Sequence, residues 1–251
     1  MQLNDRLYDA MVDKARQVTI EHLCMGLGYT AVVTSNGDMG LAYTYFDGNA
    51  GCTLVDDYHD YEGRPAADLL ILIKKATPLE RSMALALINA LNLGQVSHLP
   101  ADGDNGTLFK SLDIGPGTKV AMVGYIKPIV RLLESGNVKV EIIDKFRGIG
   151  DQKDFYHKLS HWADAALITS TAILNNSLEE ILGHLGKNVK AALLGPSTPM
   201  VAEAFSSRPE IKALAGTVPL ETEAVLKMVR HGLGTPYLHR HSKKVTLRIQ
   251  Q

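Results

Sequence analysis

Small hydroxyl, glycine, proline and asparagine residues gather at two places where an apolar run stops abruptly. One is Thr169-Ser170-Thr171, followed by Asn175-Asn176-Ser177, within ALITSTAILNNSLEEIL at Ala166–Leu182. The other is Gly195-Pro196-Ser197-Thr198-Pro199, within AALLGPSTPM at Ala191–Met200. In an open parallel sheet, ligands bind in the crevice beyond the carboxyl ends of the strands. Hydroxyls and free backbone N–H groups at that edge suit a polar or anionic small molecule, and they can stabilise negative charge that develops in a reaction. Ser170 and Ser197 are therefore the candidate catalytic hydroxyls, with Thr169, Thr171, Asn175, Gly195, Pro196 and Thr198 as candidate ligand contacts. A plainer reading stands beside this one. Asn175, Asn176 or Ser177 suits a helix cap completed by Glu179 or Glu180, and Pro199 suits the first position of a helix that a rigid turn introduces.

A third junction, VAMVGYIKP at Val120–Pro128, occupies the turn where dinucleotide-binding folds place a glycine-rich loop. Only Gly124 is present. Tyr125, Ile126 and Lys127 stand where glycines would let a pyrophosphate approach, so a standard NAD or FAD site is not expected. Gly124 and Tyr125 remain candidate contacts. Asp144, about 20 residues further on, lies where an acidic residue binds a ribose hydroxyl or simply opens a solvated loop. It is also the candidate general base.

No G-x-S-x-G elbow occurs. His239 and His241 would share one face of a strand, either as two metal ligands without a third or as part of a basic tail with Arg240, Lys243 and Lys244. His22, Cys24, Cys52 and His59 match no ligand spacing, so no metal ligand is assigned. In the first half, Gly26–Thr30 and Asn36-Gly37 shape a glycine-rich hairpin. If that unit caps the open sheet edge, Tyr29 and Thr30 close the pocket.

The elements that must carry these groups follow from periodicity. Leu3, Leu7, Ala10, Met11 and Ala15 predict a helix over residues 3–17. VTIEHLCMG, YTAVVTS and GLAYTY read as strands, the last two joined at Asn36-Gly37. Helices follow from Pro65 to about Lys75 and over Leu79–Leu93. Residues 1–95 thus read as a small α+β unit, and residues 96–118, dense in Gly, Asp, Asn and Pro, as a linker. Over 119–251 strands alternate with helices, which indicates a parallel sheet with helices on both faces. The strands are VAMVG, VKVEIID, AALITS, VKAALLG, a short one near Ala213–Gly216 and a final edge strand KKVTLRI. The helices are expected near Pro128–Ser135, at FYHKLSHWAD, near Ser177–Leu185, from about Pro199 and at Thr222–His231.

Composition narrows the class. Of 251 residues, 45% are hydrophobic and 21% charged, the formal net charge is −1, and Cys24 and Cys52 are the two cysteines. Neither a nucleic-acid-binding field, a disulfide framework nor a membrane-spanning run is in view. The charged, amphipathic N-terminus lacks a signal-peptide core. The expectation is a soluble cytoplasmic protein with a small-molecule ligand and no membrane insertion. The apolar helices of the first half are available as a homodimer surface.

These blocks together resemble a bacterial and archaeal family of unknown biochemistry, the putative heavy-metal chelation proteins. The matching stretches are GLGYTAVVTSNGDMGLAYTY, KVAMVGYIKPIV, ITSTAILNNSLEEIL, LLGPSTPM and KALAGTVPLETEAVLKMVRHGLG. The resemblance implies an enolase N-terminal-like domain joined to a Rossmann-like domain, with one site built from both. It further implies processing, by condensation or hydrolysis, of a small pterin-, flavin- or siderophore-like chelator linked to metal transport or homeostasis. Two other readings stay open: a non-catalytic binder of a metal–chelate, and a methyltransferase with S-adenosylmethionine at Gly124 and Asp144. S-adenosylmethionine and a metal–chelate are accordingly the candidate cofactors.

Overall fold

The computed structural model describes residues 2–46 and 59–249. Helix α1 (Leu3–Ala15) leads into strands β1 (Ile20–Met25), β2 (Tyr29–Thr34) and β3 (Met39–Tyr43), an antiparallel three-stranded sheet in the order β1-β2-β3. Gly37 turns the β2–β3 hairpin with φ +84°, a conformation that costs glycine nothing. Helix α2 (Ala66–Leu70) runs on into a 3₁₀ turn at Ile71–Lys74, and α3 (Pro78–Leu91) and the short α4 (Leu93–Val96) complete the first half.

Leu3, Leu7, Met11 and Ala15 recur every four residues and form the buried stripe of α1. Helix α3 is different. Its buried residues include Leu79, Met83, Ala84, Leu85, Ala86, Leu87, Ile88 and Ala90, which occupy nearly every direction around the axis. Such a helix must be enclosed by other elements. β2 and β3 cover one side, and α1, α2 and α8 (Thr171–Leu174, introduced below with the second sheet) cover others. The apolar faces of α1 and α3, expected as a surface for a second copy, are thus spent inside the chain.

The second half begins with α5 (Gly106–Ser111), which lies within residues 96–118 and buries Leu108 and Leu112 against the second sheet. Then follow β4 (Lys119–Val123), α6 (Lys127–Ser135), β5 (Lys139–Ile143), α7 (Gln152–His161), β6 (Ala165–Thr169) and α8. After these come α9 (Leu178–Gly183), β7 (Lys190–Leu194), β8 (Ile211–Pro219), α10 (Thr222–Arg230), α11 (Thr235–Leu238) and β9 (Ser242–Arg248). The six strands lie in the order β5-β4-β6-β7-β8-β9, parallel up to β8 and antiparallel at the edge strand β9. The expected strands alternating with helices are present.

Side chains alternate across this sheet. Val120, Met122, Ala165, Leu167, Ala192 and Leu194 face α5 and α6, while Ala121, Ala166, Ile168, Ala191 and Leu193 face the opposite core. Burial on both faces explains why β6 and β7 read as continuous apolar runs. The opposite core is shared with α1, α2 and α3, so one hydrophobic cluster spans both halves of the chain.

Two expectations need correction. No helix starts at Pro199; the chain continues irregularly to a 3₁₀ turn at Ala202–Phe205. The Met200 carbonyl, which a helix would have used internally, accepts a hydrogen bond from Asn92 Nδ2 at 2.6 Å. The short strand near Ala213–Gly216 extends to Ile211–Pro219 because it is paired on both sides, by β7 and β9.

The contact between β3 and α3 is close enough to test. A Cβ on Gly40 would lie 2.2 Å from both the Ala86 carbonyl oxygen and the Ala90 nitrogen. These are backbone atoms that cannot rotate away. Gly40→Ala is expected to cost at least about 1–3 kcal/mol, as overpacked cores do, read as a lower urea midpoint at unchanged slope. An unmoved midpoint would show that α3 is not seated on β3.

Candidate functional site

In the parallel part of the second sheet the chain-order strands lie second, first, third, fourth, fifth. The winding direction reverses between β4 and β6, and such a reversal opens a crevice at the strands' carboxyl ends. A cavity of about 570 Å³ lies there. Its walls come from the chain after β4 (Tyr125–Ile129), after β6 (Thr169–Thr171), after β7 (Gly195–Ser197), from β8 and β9, and from α11. The hairpin β2–β3 contributes Tyr29 and Tyr43, and the loop before α5 contributes Asp102 and Asn105.

Of the residues expected from the sequence, Tyr29, Tyr125, Thr169, Ser170, Thr171, Gly195, Pro196 and Ser197 line this cavity. The other five do not. Gly124 lies behind the wall with φ +88°, where a Cβ would come within 2.8 Å of the Thr169 methyl. Its glycine is demanded by the backbone conformation and by the packing of two strand ends. Thr198 sits beneath Ser170 and Thr30 is buried in the small sheet, hydrogen-bonded to Thr44 at 2.9 Å. Asn175 is exposed beyond α8, where its Oδ1 accepts from the Ser177 N–H at 3.1 Å and the Ser177 hydroxyl at 2.7 Å. It organises a local turn.

Asp144 is a support. Its carboxylate accepts from the Tyr125 N–H at 2.9 Å and the Arg147 N–H at 3.0 Å, and it pairs with the Arg147 guanidinium at 3.6 Å. The same guanidinium lies 5.7 Å from the centre of the Tyr125 ring. Asp144 therefore orients a wall residue from behind.

The two serines are buried and differently bonded. Ser170 Oγ lies 2.7 Å from Thr198 Oγ1, which donates to the Gly195 carbonyl at 2.8 Å. This chain ties the end of β6 to the turn after β7. Ser197 Oγ accepts from the Tyr43 N–H at 2.7 Å and so fastens the β2–β3 hairpin to the same turn. That bond leaves the Ser197 hydroxyl proton available. The Tyr29 and Tyr43 rings meet edge to face at 6.3 Å, and the Tyr29 hydroxyl bonds the Thr235 hydroxyl. Burial raises the Tyr29 phenol above its ordinary pKa, which keeps it neutral.

The sequence did not single out Tyr43, Asn105, Thr217, Thr235, Thr246, Lys127 or Lys244 as site residues, yet all line the cavity, together with His239, which the sequence offered only as half of a metal pair or as part of a basic tail. His239 and His241 do not share a strand face. They lie past the end of α11 and before β9, with His239 on the cavity and His241 3.0 Å from the Glu221 carboxylate. Burial, and then the charge of Lys244, hold His239 below its ordinary pKa. Asp102 is nearly buried, and its oxygens accept from the Thr107 N–H at 2.9 Å, the Leu108 N–H at 3.1 Å and the Thr246 hydroxyl at 2.6 Å. Among the described residues no three His, Cys, Asp or Glu side chains converge on a metal-sized site; Cys52 lies outside those residues.

Comparison with known proteins agrees with this architecture. Residues 107–248 match a family model described as "Putative heavy-metal chelation", and residues 8–92 match a second model with the same description. An uncharacterized protein of Methanocaldococcus jannaschii is 22% identical over 263 residues, spanning 99% of this chain and 97% of that protein. A crystal structure of a protein of unknown function from Pyrococcus horikoshii aligns with TM-score 0.79 at 19% identity, covering 99% of this chain and 100% of the other. One from Desulfitobacterium hafniense aligns with TM-score 0.75 at 21% identity, covering 96% and 97%. No helix among the described residues is long and apolar enough to cross a membrane.

Two outcomes are expected from this geometry. Ser197→Ala leaves the Tyr43 N–H without its acceptor, a loss of about 0.5–1.5 kcal/mol, the net worth of one hydrogen bond at a partly buried position. The Tyr43 amide should then exchange its hydrogen faster, and unchanged protection would mean that the hairpin is held otherwise. His239 has a depressed folded pKa, so its contribution to stability is present above the unfolded value of 6.5 and is lost as the pH falls through the folded value. His239→Asn should accordingly lose less stability than the parent on acidification below 6.5 in denaturant titrations. Parallel curves would exclude His239 as a contributor.

Proposed function

The chain belongs to the putative heavy-metal chelation family, and we propose that its cavity binds a small, flat, polar-edged chelator of the pterin, flavin or siderophore type. One observation carries the reading. A space of about 570 Å³ brings the rings of Tyr29, Tyr43 and Tyr125 together with the hydroxyls of Thr169, Ser170, Thr171 and Ser197. Aromatic walls favour a flat body, offset-stacked or edge-on, by about 0.5–1.5 kcal/mol beyond area burial. Hydroxyls and backbone groups along one rim fix the orientation of a polar edge, the usual division of labour in a small-molecule site.

A metal ion would enter this site on the donor atoms of the chelator. Binding is favoured over nucleophilic attack by Ser170 because the neighbour of its hydroxyl is Thr198, and a threonine hydroxyl is no general base. If the bound chelator is condensed or hydrolysed here, Ser197 is the better-placed group, with its oxygen held by the Tyr43 N–H and no acceptor for its proton among the described residues. The methyltransferase reading has less support. Asp144, its expected ribose partner, is occupied by Tyr125 and Arg147.

The test is the shift in melting temperature with pterins, flavins and catechol-type chelators, each with and without ferric iron, and with S-adenosylmethionine. A ligand present at about 100 times its dissociation constant should stabilise by about 2.7 kcal/mol. The expected result is a rise with at least one flat chelator that falls sharply in Tyr125→Ala. A rise with S-adenosylmethionine alone would replace this reading with methyl transfer, and no rise with any ring compound would remove it.

A further inference from the structure

The charges on the cavity wall do not balance. Lys127 opens α6 on one side, and Lys244 projects from β9 on the other. Neither lysine makes an ion pair among the described residues, whereas Lys74, Lys158 and Lys190 each sit against a carboxylate. The acid on the same wall is Asp102, and its two oxygens already accept from two backbone N–H groups and the Thr246 hydroxyl. It is spent on holding the start of α5 and the edge strand together. Those neutral donors hold the carboxylate in place without cancelling its charge, so the wall carries two lysines against one acid and is net positive toward whatever enters. Hydrogen bonds with an ionised donor or acceptor are about twice as strong as those between neutral groups, and an anionic acceptor adds direct Coulomb attraction to the ammonium charge.

Their surroundings strengthen the effect. The lining is largely apolar, with Leu108, Ile126, Ile129, Leu194 and Val245 between the polar groups. Coulomb attraction gains in such a setting because less water screens it, which favours the half-buried Lys244 over the exposed Lys127. Asn105 adds an amide in a left-handed turn at φ 60°, and Lys127 sits in the first turn of a helix whose amino end is positive. His239, held uncharged at neutral pH by burial and by Lys244, offers a neutral imidazole beside the second lysine.

We propose that the ligand of this cavity is an anion, a flat ring compound bearing a phosphate or carboxylate group that Lys127 and Lys244 select. The inference deepens the chelator reading and rests on it for the ring. It also excludes neutral chelators and cationic cofactors as the preferred occupants. Aromatic walls accept the ring, and the lysines read the charge.

The test compares pairs of probes that share a ring and differ in charge: flavin mononucleotide against riboflavin, and pterin-6-carboxylate against pterin. Dissociation constants are measured by calorimetry at low salt, with inorganic pyrophosphate as a ring-free control. The full chain is expected to prefer the charged member of a pair by at least about tenfold, the equivalent of one charge-assisted hydrogen bond. The first pair reports a phosphate and the second a carboxylate. The preference should disappear in the double variant Lys127→Gln/Lys244→Gln and survive in Lys127→Arg/Lys244→Arg. Added salt should erode it.

Equal affinities within both pairs would overturn the anion and leave the ring reading standing. A preference that persists in the glutamine variant would overturn the assignment to these lysines. If no ring compound binds, pyrophosphate decides. Binding that the glutamine variant loses keeps the anion site and removes the ring, and no binding removes both.

Discussion

Because α3 carries apolar side chains in almost every direction, it cannot lie on a surface, and the rest of the chain is arranged to enclose it. Fully burying a leucine or isoleucine stabilises by about 1.5–3 kcal/mol, and Leu85, Leu87 and Ile88 are all inaccessible to water. The small sheet covers one side of the helix. That alone would leave the other sides wet. The cover comes from α1, α2 and the core on the far face of the second sheet, so a single hydrophobic cluster runs through both halves. A separate cluster of Tyr29, Ala31, Val33, Met39 and Leu41 with Val225, Leu226, Val229 and Leu238 packs the other face of the small sheet on α10 and α11, and the two clusters together stand the hairpin β2–β3 at the open edge of the parallel sheet.

Apolar burial has no direction, and polar groups supply the register. Arg81 is fully buried within α3 and donates to the carbonyls of Leu174 at 2.5 Å, Lys75 at 2.6 Å and Ala76 at 2.7 Å. It ties the helix to α8, one turn beyond Ser170. Asn89 holds the Leu41 carbonyl at 2.8 Å, and Asn92 holds that of Met200 at 2.6 Å. Buried donors and acceptors of this kind are nearly always paired, and leaving one unpaired costs more than the bond itself gains. The positions of β3 and of the turn after β7 are thereby locked to one helix. The Tyr43–Ser197 hydrogen bond closes the loop of constraints at the cavity itself.

The cavity is a consequence of topology before it is one of composition. Winding reverses at β4, so α6 and α8 leave the sheet on opposite faces and no helix covers the strand ends between them. The space is then narrowed from outside by the hairpin, by α11 and by the loop that Asp102 organises. Aromatic rings, hydroxyls and two lysines with no ion pair among the described residues reach it from seven separate stretches of chain. This is a site assembled by packing, and its supports are as informative as its walls. Asp144 sets the Tyr125 backbone, and Gly124 lets the ends of β4 and β6 meet.

Much of this was legible in the sequence alone, for physical reasons. The four-residue spacing of Leu3, Leu7, Met11 and Ala15, the Asn36-Gly37 turn and the continuous apolar runs of β6 and β7 are local signals, because hydrophobic periodicity and turn chemistry act within one element. The polar strand ends were also readable, since a run such as Ala165–Thr169 must end somewhere and hydroxyls mark where. Tertiary structure alone decided which of those polar groups face the cavity. Thr198 and Asn175 are of the same chemical type as Ser170 and Thr171, yet one lies beneath the wall and the other outside it. Only the angle at which each chain segment leaves the sheet separates them. Lys127, Lys244 and His239 became neighbours of the site only when the edge strand and the final helical turn closed against it. Nothing in their local sequence records which charges would face them. A residue's periodicity is set by its neighbours in the chain, but its electrostatic partners are set by the fold.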